Sequence, residues 1–247
     1  MASVPLMFAQ EDVEFGGKAS SITDDFAYNN NVLQASIYIR MGFLRKVYGL
    51  LSVQMLLTVV VGSVCMFSEA VRSFIHTNDW LMTFAFLLSI VILVALHIKK
   101  RDSPANLILL AAFTVVQAYT IGVVLTYYDQ VVVLQAFMLT LTVVAGLTSF
   151  TFQTRKDFSF LGFGLFAGLC VLLVGGVLQL LIGSSVLELV ISIAGAFLFS
   201  LFIIYDTQML MQKLSPEEYI LATINLYLDI VNLFLYILRT LEAVRKH

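Results

Sequence analysis

Charged residues are scarce in this chain, and their scarcity excludes several kinds of protein. Only 12% of the 247 residues are Asp, Glu, Lys or Arg, while 60% are hydrophobic. A water-soluble globular protein cannot bury that much apolar surface in its core. The 14 Lys and Arg residues lie in short clusters and the net charge is −2, which argues against a nucleic-acid partner. We therefore expect the lipid bilayer to be the main partner of this chain.

Cysteine and several functional motifs are also nearly or wholly missing. Cys65 and Cys170 both fall inside apolar runs, which is typical of small buried hydrophobic residues and not of a disulfide or metal pair. The sequence contains no N-x-S/T sequon, no phosphate-binding loop and no nucleophile motif. We therefore expect no cofactor and no soluble enzymatic domain.

Long apolar runs follow one another with only short polar connections between them. Residues 1–31 are polar and acidic and predict a disordered tail, and residues 32–46 mix apolar residues with Arg and Lys, which predicts an interfacial amphipathic helix. Seven runs are each long enough to cross a bilayer. They lie near residues 47–67, 80–98, 105–127, 131–153, 159–182, 186–209 and 218–240. The predicted fold is an all-α seven-transmembrane-helix bundle over residues 47–240, with a short basic tail at 241–247.

Basic residues occur at every second connection between these runs. They lie before the first run and in the loops near residues 99–101, 155–156 and 213, whereas the loops near 128–130 and 183–185 contain none. The positive-inside rule places the basic loops and the N-terminus in the cytosol. Seven crossings would then put Arg245 and Lys246 on the far side, so a re-entrant last segment is the alternative. We prefer a full span, because about 23 residues suffice to cross the bilayer.

Two acidic residues lie inside apolar runs, where an ionised carboxylate costs several kcal/mol unless it is neutralised, paired or hydrated. Asp206 lies near the cytosolic end of the sixth run, and Asp229 lies well inside the seventh. The turn at Leu214–Pro216 folds these two helices antiparallel. If the seventh begins with a turn near Glu217, the two aspartates reach similar depths and can meet.

Helical spacing places further polar residues beside Asp229. Asn225, Asp229, Asn232 and Tyr236 follow at i, i+4, i+7 and i+11 and form one narrow stripe. Because lipid disfavours such a stripe, we expect the last helix to be central in the bundle, with its polar face towards a buried cavity or ion path. On the sixth run, Gly195, Phe199 and Phe202 share the face of Asp206.

The aspartate pair has two interpretations. In the first, each carboxyl only accepts hydrogen bonds from neighbours such as Asn225 or Asn232 and holds the bundle in register. In the second, two carboxyls in contact in a low dielectric cannot both stay ionised and therefore share a proton. When both are ionised, they become an oxygen site that attracts Ca²⁺, so H⁺ and Ca²⁺ compete there. A pH-controlled calcium leak follows from the second interpretation.

Three segments carry a resemblance to a known family. FLRKVYGLLSVQMLLT, IIYDTQMLMQKLSPEEYILA and LYLDIVNLFLYILRTLEAV resemble the transmembrane Bax inhibitor motif family, and the resemblance extends from Arg40 to the C-terminus. It implies seven helices with the last one central and a di-aspartate pH sensor at Asp206 and Asp229. It also implies leak of Ca²⁺ or other cations from Golgi and endoplasmic reticulum stores, and suppression of apoptosis.

The resemblance also assigns roles to four other charged residues. An arginine that pairs with the sensor in a bacterial relative matches Lys100 or Arg101, which are thus the expected counter-charges. Glu188 and Glu217 correspond to residues that line or flank the ion path in relatives. Both glutamates equally fit an ordinary acidic helix start, because each lies in the first turn of a predicted helix.

Two rival functions differ in class from an ion leak. Intramembrane aspartyl proteases also place paired aspartates on two spans. Asp229, however, is preceded by Tyr227 and Leu228 instead of Gly-x-Gly, and no Pro-Ala-Leu motif follows it. The other rival is a non-conducting scaffold for apoptosis regulators or intracellular calcium channels. The sequence is compatible with a monomer and with a homo-oligomer.

Overall fold

The computed structural model describes residues 37–154 and 156–246, and the predicted N-terminal tail at 1–31 lies outside the described residues. The described residues form eight α-helices and one 3-10 turn, and they contain no strand. The helices are α1 (Ile37–Phe67), α2 (Glu69–Thr77), α3 (Trp80–Ile98), α4 (Ala105–Leu125), α5 (Gln130–Gln153), α6 (Leu161–Ile182), α7 (Ser185–Gln212) and α8 (Tyr219–Lys246). The 3-10 turn, Pro216–Glu218, precedes α8.

Seven of the described helices are long and apolar enough to cross a bilayer, all except α2. The prediction of an all-α, seven-transmembrane-helix bundle is therefore confirmed. The bounds of five runs agree closely, since the run predicted at 80–98 coincides with α3 and four others begin and end within three residues of the observed helices. The chain is thus a multi-pass membrane protein.

Two helices extend further than the predicted spans. Residues 37–46, predicted as part of a separate interfacial segment, continue without a break into the first span, because this stretch has no proline to interrupt the i to i−4 hydrogen bonds. At the other end of the chain, α8 stays helical to Lys246. The short helix α2 was not predicted. It begins where the Ser68 hydroxyl accepts a hydrogen bond from the Val71 N–H.

The bundle has two ends with different contacts, which we call the basic face and the opposite face. The basic face carries the start of α1 and the loops around residues 99–104, 156–160 and 213–218. There Lys100 lies 3.3 Å from Glu218 in the 3-10 turn before α8. On the opposite face, Arg245 near the end of α8 lies 2.8 Å from Asp129 in the loop between α4 and α5. The last helix therefore crosses the whole bundle and is not re-entrant.

Helix α8 is the most enclosed of the seven crossing helices. Within its most apolar 18-residue window, 56% of the residues are buried, compared with 11% for α6 and 17% for α3. It packs against α1, α4, α5 and α7, and its contact with α7 is the most extensive helix contact in the bundle. The side chains of Tyr227, Leu233 and Leu238 on α8 are almost fully buried.

The two cysteines occupy different environments. Cys65 on α1 is buried, as expected, whereas Cys170 lies exposed on α6, and its prediction as a buried residue was wrong. The outer surface of a membrane protein faces hydrocarbon. A small apolar side chain is therefore shielded from water there even though no other part of the protein covers it.

Candidate functional site

A tight turn sets α7 and α8 side by side and antiparallel. Lys213 ends α7, and the Ser215 hydroxyl accepts a hydrogen bond from the Glu217 N–H at 3.5 Å. Pro216 is the first residue of the 3-10 turn, a position where a backbone N–H would have no hydrogen-bond partner within the turn. Because only six residues separate α7 from α8, side chains at matching distances from the turn meet across the helix contact.

The structure brings Asp206 of α7 and Asp229 of α8 together. Their carboxyl groups lie within hydrogen-bonding contact. Asp229 is 5% exposed and Asp206 is half-buried. Since an ionised carboxylate can only accept hydrogen bonds, a bond between the two groups requires one shared proton. Oδ2 of Asp229 is buried and has no hydrogen-bond donor among the described residues.

Three aromatic rings lie between the aspartates and the opposite face. The Phe199 ring stacks on Tyr236 with centroids 5.7 Å apart and on Phe202 with centroids 5.5 Å apart. We call Phe199, Phe202 and Tyr236 the aromatic stack. Gly195 allows this close approach, because a Cβ there would overlap the Tyr236 ring. Phe199 and Tyr236 are each seven residues from an aspartate, or roughly 10 Å along the helix axis.

On the basic-face side of the pair, α7 is tied to the loop between α5 and α6. The Gln208 side chain accepts a hydrogen bond from the Phe158 N–H at 2.6 Å and donates one to the Lys156 carbonyl at 2.6 Å. Gln208 is buried and lies only two residues from Asp206. A movement of α7 near Asp206 would therefore displace this loop through the hydrogen bonds of Gln208.

The two basic residues expected as counter-charges contact glutamates. Lys100 lies 3.3 Å from Glu218, and Arg101 lies 3.7 Å from Glu217. Both ion pairs are partly exposed and lie at the basic face. In this conformation Lys100 and Arg101 therefore hold the 3-10 turn before α8, and their pairing with the aspartates stays a prediction.

Glu188 stands apart from the pair, at the opposite face. It is exposed in the first turn of α7, just after Ser184, whose hydroxyl accepts a hydrogen bond from the Leu187 N–H. This arrangement matches an acidic helix start. The role of Glu188 in an ion path stays a prediction.

The polar stripe on α8 is only partly enclosed. Asp229 is buried, but Asn225 is exposed, so the expectation that the whole stripe faces the protein interior was wrong at that end. Asn232 is half-buried and donates a hydrogen bond to the Leu228 carbonyl of its own helix at 2.8 Å. The reason is that α8 is less covered by neighbours along one strip that includes Leu221, Asn225 and Leu228.

The part of the chain that the structure describes offers Ca²⁺ two carboxylates at this site. The described residues contain no group of three or more His, Cys, Asp and Glu side chains placed to hold a metal ion. Ca²⁺ prefers six to eight oxygen ligands, so water would have to complete its coordination at Asp206 and Asp229. A coordination shell made mostly of water is suited to an ion that binds transiently as it permeates, and less to a permanently bound ion.

Polar residues of α1, which sequence analysis passed over, form a second buried network. Gln54 donates a hydrogen bond to the Thr114 hydroxyl of α4 at 2.7 Å, and the Thr58 and Tyr227 hydroxyls are 2.8 Å apart. All four side chains are buried. These bonds join α1 and α4 to α8 near Asp229. The available signal was the presence of Gln54 and Thr58 one turn apart within a long apolar run.

Comparison with known proteins identifies the family of this chain. A family model described as "Inhibitor of apoptosis-promoting Bax1" matches residues 40–246. Protein lifeguard 4 of Mus musculus is 48% identical over 95% of this chain and 99% of its own length. The Golgi anti-apoptotic protein of vaccinia virus, strain Lister, is 48% identical over 92% of this chain and 96% of its own. Bax inhibitor 1 of Schizosaccharomyces pombe is 33% identical over 91% of this chain and 85% of its own length. The chain, itself a multi-pass membrane protein, therefore belongs to the Bax inhibitor family.

Proposed function

We propose that this protein is a pH-sensitive leak channel for Ca²⁺ and other cations in Golgi and endoplasmic reticulum membranes, and that it lowers store calcium and suppresses apoptosis. The observation that carries the proposal is the contact between Asp206 and Asp229, at the interface of the two most closely packed helices. The names of the related Golgi anti-apoptotic protein and Bax inhibitor 1 support the cellular role and the Golgi location.

The aspartate pair supplies the pH sensitivity. With one shared proton, a carboxyl-to-carboxylate hydrogen bond joins α7 to α8. Loss of that proton leaves two negative charges in contact in a poorly solvated site, and they repel each other. The aromatic stack, which lies next along the same helix contact, blocks the way to the opposite face in the joined state. Separation of α7 and α8 would part the stack and open the path.

The contacts of the basic residues indicate the sign of the response. A cation close to the aspartates would stabilise the doubly ionised state and oppose separation. Lys100 and Arg101 are engaged with Glu218 and Glu217 instead. Low pH should therefore favour the closed state and rising pH should favour leak.

Calcium and protons compete at the same two side chains. Ca²⁺ binds the pair when both carboxyls are ionised, whereas a bound proton keeps the pair joined and closed. Each ligand therefore lowers the affinity of the site for the other by the same factor. A calcium affinity independent of pH would contradict this mechanism even in a protein that conducts.

The direct test is Ca²⁺ flux through liposomes that hold the purified full-length protein, scanned from acid to alkaline pH. We expect flux to rise with pH. Asp206→Asn and Asp229→Asn should each flatten the curve, because either change removes one member of the proton-sharing pair. Asp79→Asn, in the exposed loop before α3 at the opposite face, is the matched control and should leave the curve unchanged. Normal pH curves in both pair variants would refute the sensor.

The same liposomes separate a channel from a non-conducting scaffold. Pure protein that passes no ion at any pH, yet protects cells from apoptosis, would identify a scaffold for apoptosis regulators or calcium channels. In cells, we expect wild-type protein in Golgi and endoplasmic reticulum membranes to lower store calcium and delay death. Asp229→Asn should impair both effects together if leak causes the protection.

The orientation needs its own test. We propose that the N-terminus and the basic face are cytosolic. A cysteine placed at Ser103 or Thr154, in a chain whose own two cysteines are replaced, should react with an impermeant reagent added from the cytosolic side. Reaction only from the lumen would invert the topology.

A further inference from the structure

An apolar cavity of about 380 Å³ lies between α1, α4, α5 and α8, apart from the contact of the aspartates. Its size falls within the range of about 300–1,000 Å³ that is typical of ligand pockets. The wall is built mostly from Met, Val, Leu, Ile and Phe side chains. Two threonines in the wall, Thr58 and Thr140, already bond the carbonyls of Gln54 and Ala136 in their own helices, so they add little polarity.

The cavity runs lengthwise through half of the membrane and beyond. Along α5 its wall extends from Gln130, at the opposite face, to Val144. Fourteen residues of helix correspond to roughly 21 Å, which exceeds half of a hydrocarbon core about 30 Å thick. Gln130 is the polar residue at the outer end and is exposed, whereas the deep end is formed by Met55, Val144 and Ile230.

The side of the cavity opens towards the lipid. Val59, Phe67, Leu134 and Leu141 line the cavity and are also exposed, at 39% to 69% of their surface. Water does not fill an apolar space of this kind, and an empty one would deprive its wall of van der Waals partners. At this depth the hydrocarbon of the bilayer lies directly beside the open side of the cavity.

We propose that the cavity is a binding site for one acyl chain of a membrane phospholipid, whose headgroup lies at the opposite face near Gln130. The elongated shape, the apolar wall and the polar outer end fit a single chain that enters from that leaflet. The chain contacts Ile230 and Val231, which directly follow Asp229 on α8. The site is independent of the proposed conduction, since it concerns lipid binding alone.

Photo-cross-linking of the full-length protein in liposomes tests the site. The probe is phosphatidylcholine with a diazirine at the methyl end of one acyl chain, and mass spectrometry locates the labelled residues. We expect labels to concentrate at the deep end, on Met55, Val144 and Ile230. Labelling there no more frequent than on the outward surface of α6 would overturn the proposal. Stronger labelling there by a diazirine sterol or a free diazirine fatty acid than by the phospholipid would also overturn it.

Variants that fill the cavity provide the second arm. Val144→Phe and Val231→Phe each place a ring in the space that the chain occupies, so labelling at Met55 should fall to the level of the α6 surface. Val174→Phe makes the same change on the outward face of α6, where Val174 is 60% exposed, and should have no effect. Two filling variants guard against a folding defect in one of them, and thermal unfolding in detergent identifies such a defect. Unchanged labelling in a folded Val144→Phe or Val231→Phe protein would refute the site.

Discussion

Helices α8 and α6 differ in polarity and in burial: α8 is the more polar of the two and is also the more buried. The most apolar window of α8 has a mean hydropathy of 1.8 and is 56% buried, whereas that of α6 has 2.6 and is 11% buried. In a soluble protein the more apolar helix would be the more buried one. Here hydrocarbon surrounds the bundle, so the helix that carries Asn, Asp and Tyr must be covered by protein. Polarity therefore marks the helix that the protein covers in this fold.

We expect the largest difference in stability from the replacement of a glycine by alanine, which adds one methyl group. Gly195 on α7 packs against Tyr236 of α8, where a Cβ would overlap the ring, whereas Gly176 on α6 has nothing within 4 Å of the same position. Gly195→Ala should destabilise the protein by about 1–3 kcal/mol through overpacking. Gly176→Ala should stabilise it by about 0.5–1 kcal/mol through helix propensity. Thermal unfolding in one detergent measures both, and equal signs would show that the two contacts do not differ as described.

Replacing a phenylalanine by leucine, once in the interior and once on α6, tests the effect of the two positions on Ca²⁺ flux. Phe199 on α7 belongs to the aromatic stack, and Phe166 on α6 is 64% exposed. A stacked pair contributes about 0.5–1.5 kcal/mol beyond burial, so Phe199→Leu should weaken the closed state and raise Ca²⁺ flux by up to about tenfold. Phe166→Leu should leave flux unchanged. Wild-type flux from a folded Phe199→Leu protein would show that the stack does not block the path.

Much of this fold could be predicted from the sequence, because the membrane imposes a simple length rule. Apolar runs of about 20 residues located all seven spans. Helical spacing placed Asp206 with Gly195 and Phe199, and Asp229 with Tyr236, and these two faces meet in the structure. The cost of a carboxylate in hydrocarbon was enough to single out both aspartates.

What escaped prediction depends on contacts between distant segments. The partners of Lys100 and Arg101 are set by the turn before α8, and a sequence gives no distance between that turn and the loop after α3. Asn225 lies on the same stripe as Asp229, yet it is exposed because coverage by neighbouring helices changes along α8. The apolar cavity is likewise a property of four helices and of no single segment.

A smaller effect should come from the hydrogen bond between Thr58 and Tyr227. Tyr227→Phe removes one buried hydroxyl and should cost about 1 kcal/mol, since the Thr58 hydroxyl still bonds the Gln54 carbonyl. The matched control is Tyr127→Phe at the opposite face, where the side chain is exposed. Thermal unfolding should show a loss only at Tyr227. A double change with Thr58→Val that costs no more than Tyr227→Phe alone would attribute the loss to this pair.

The smallest effect should come from the far end of α8. The Val131 N–H bonds Asp129, the Arg245 guanidinium lies beside it, and together they hold the pKa of Asp129 below its usual value. A lowered pKa in the folded state gives stability that is present above the unfolded value of about 3.9 and is lost as pH falls through the folded value. Arg245→Gln should therefore lower the unfolding temperature slightly at neutral pH.

One condition should abolish the difference between Arg245→Gln and the wild type, and a second should reduce it. Below the folded pKa of Asp129 the carboxyl is neutral, so the two proteins should unfold alike. High salt should shrink the difference at neutral pH, because both partners are largely exposed. Val131 still bonds Asp129 in the variant, so part of the pKa depression should persist. Lys99→Gln, at the exposed basic face, is the charge-matched control. A difference that survives at both low pH and high salt would show that Arg245 stabilises α8 through packing of its side chain and not through the ion pair.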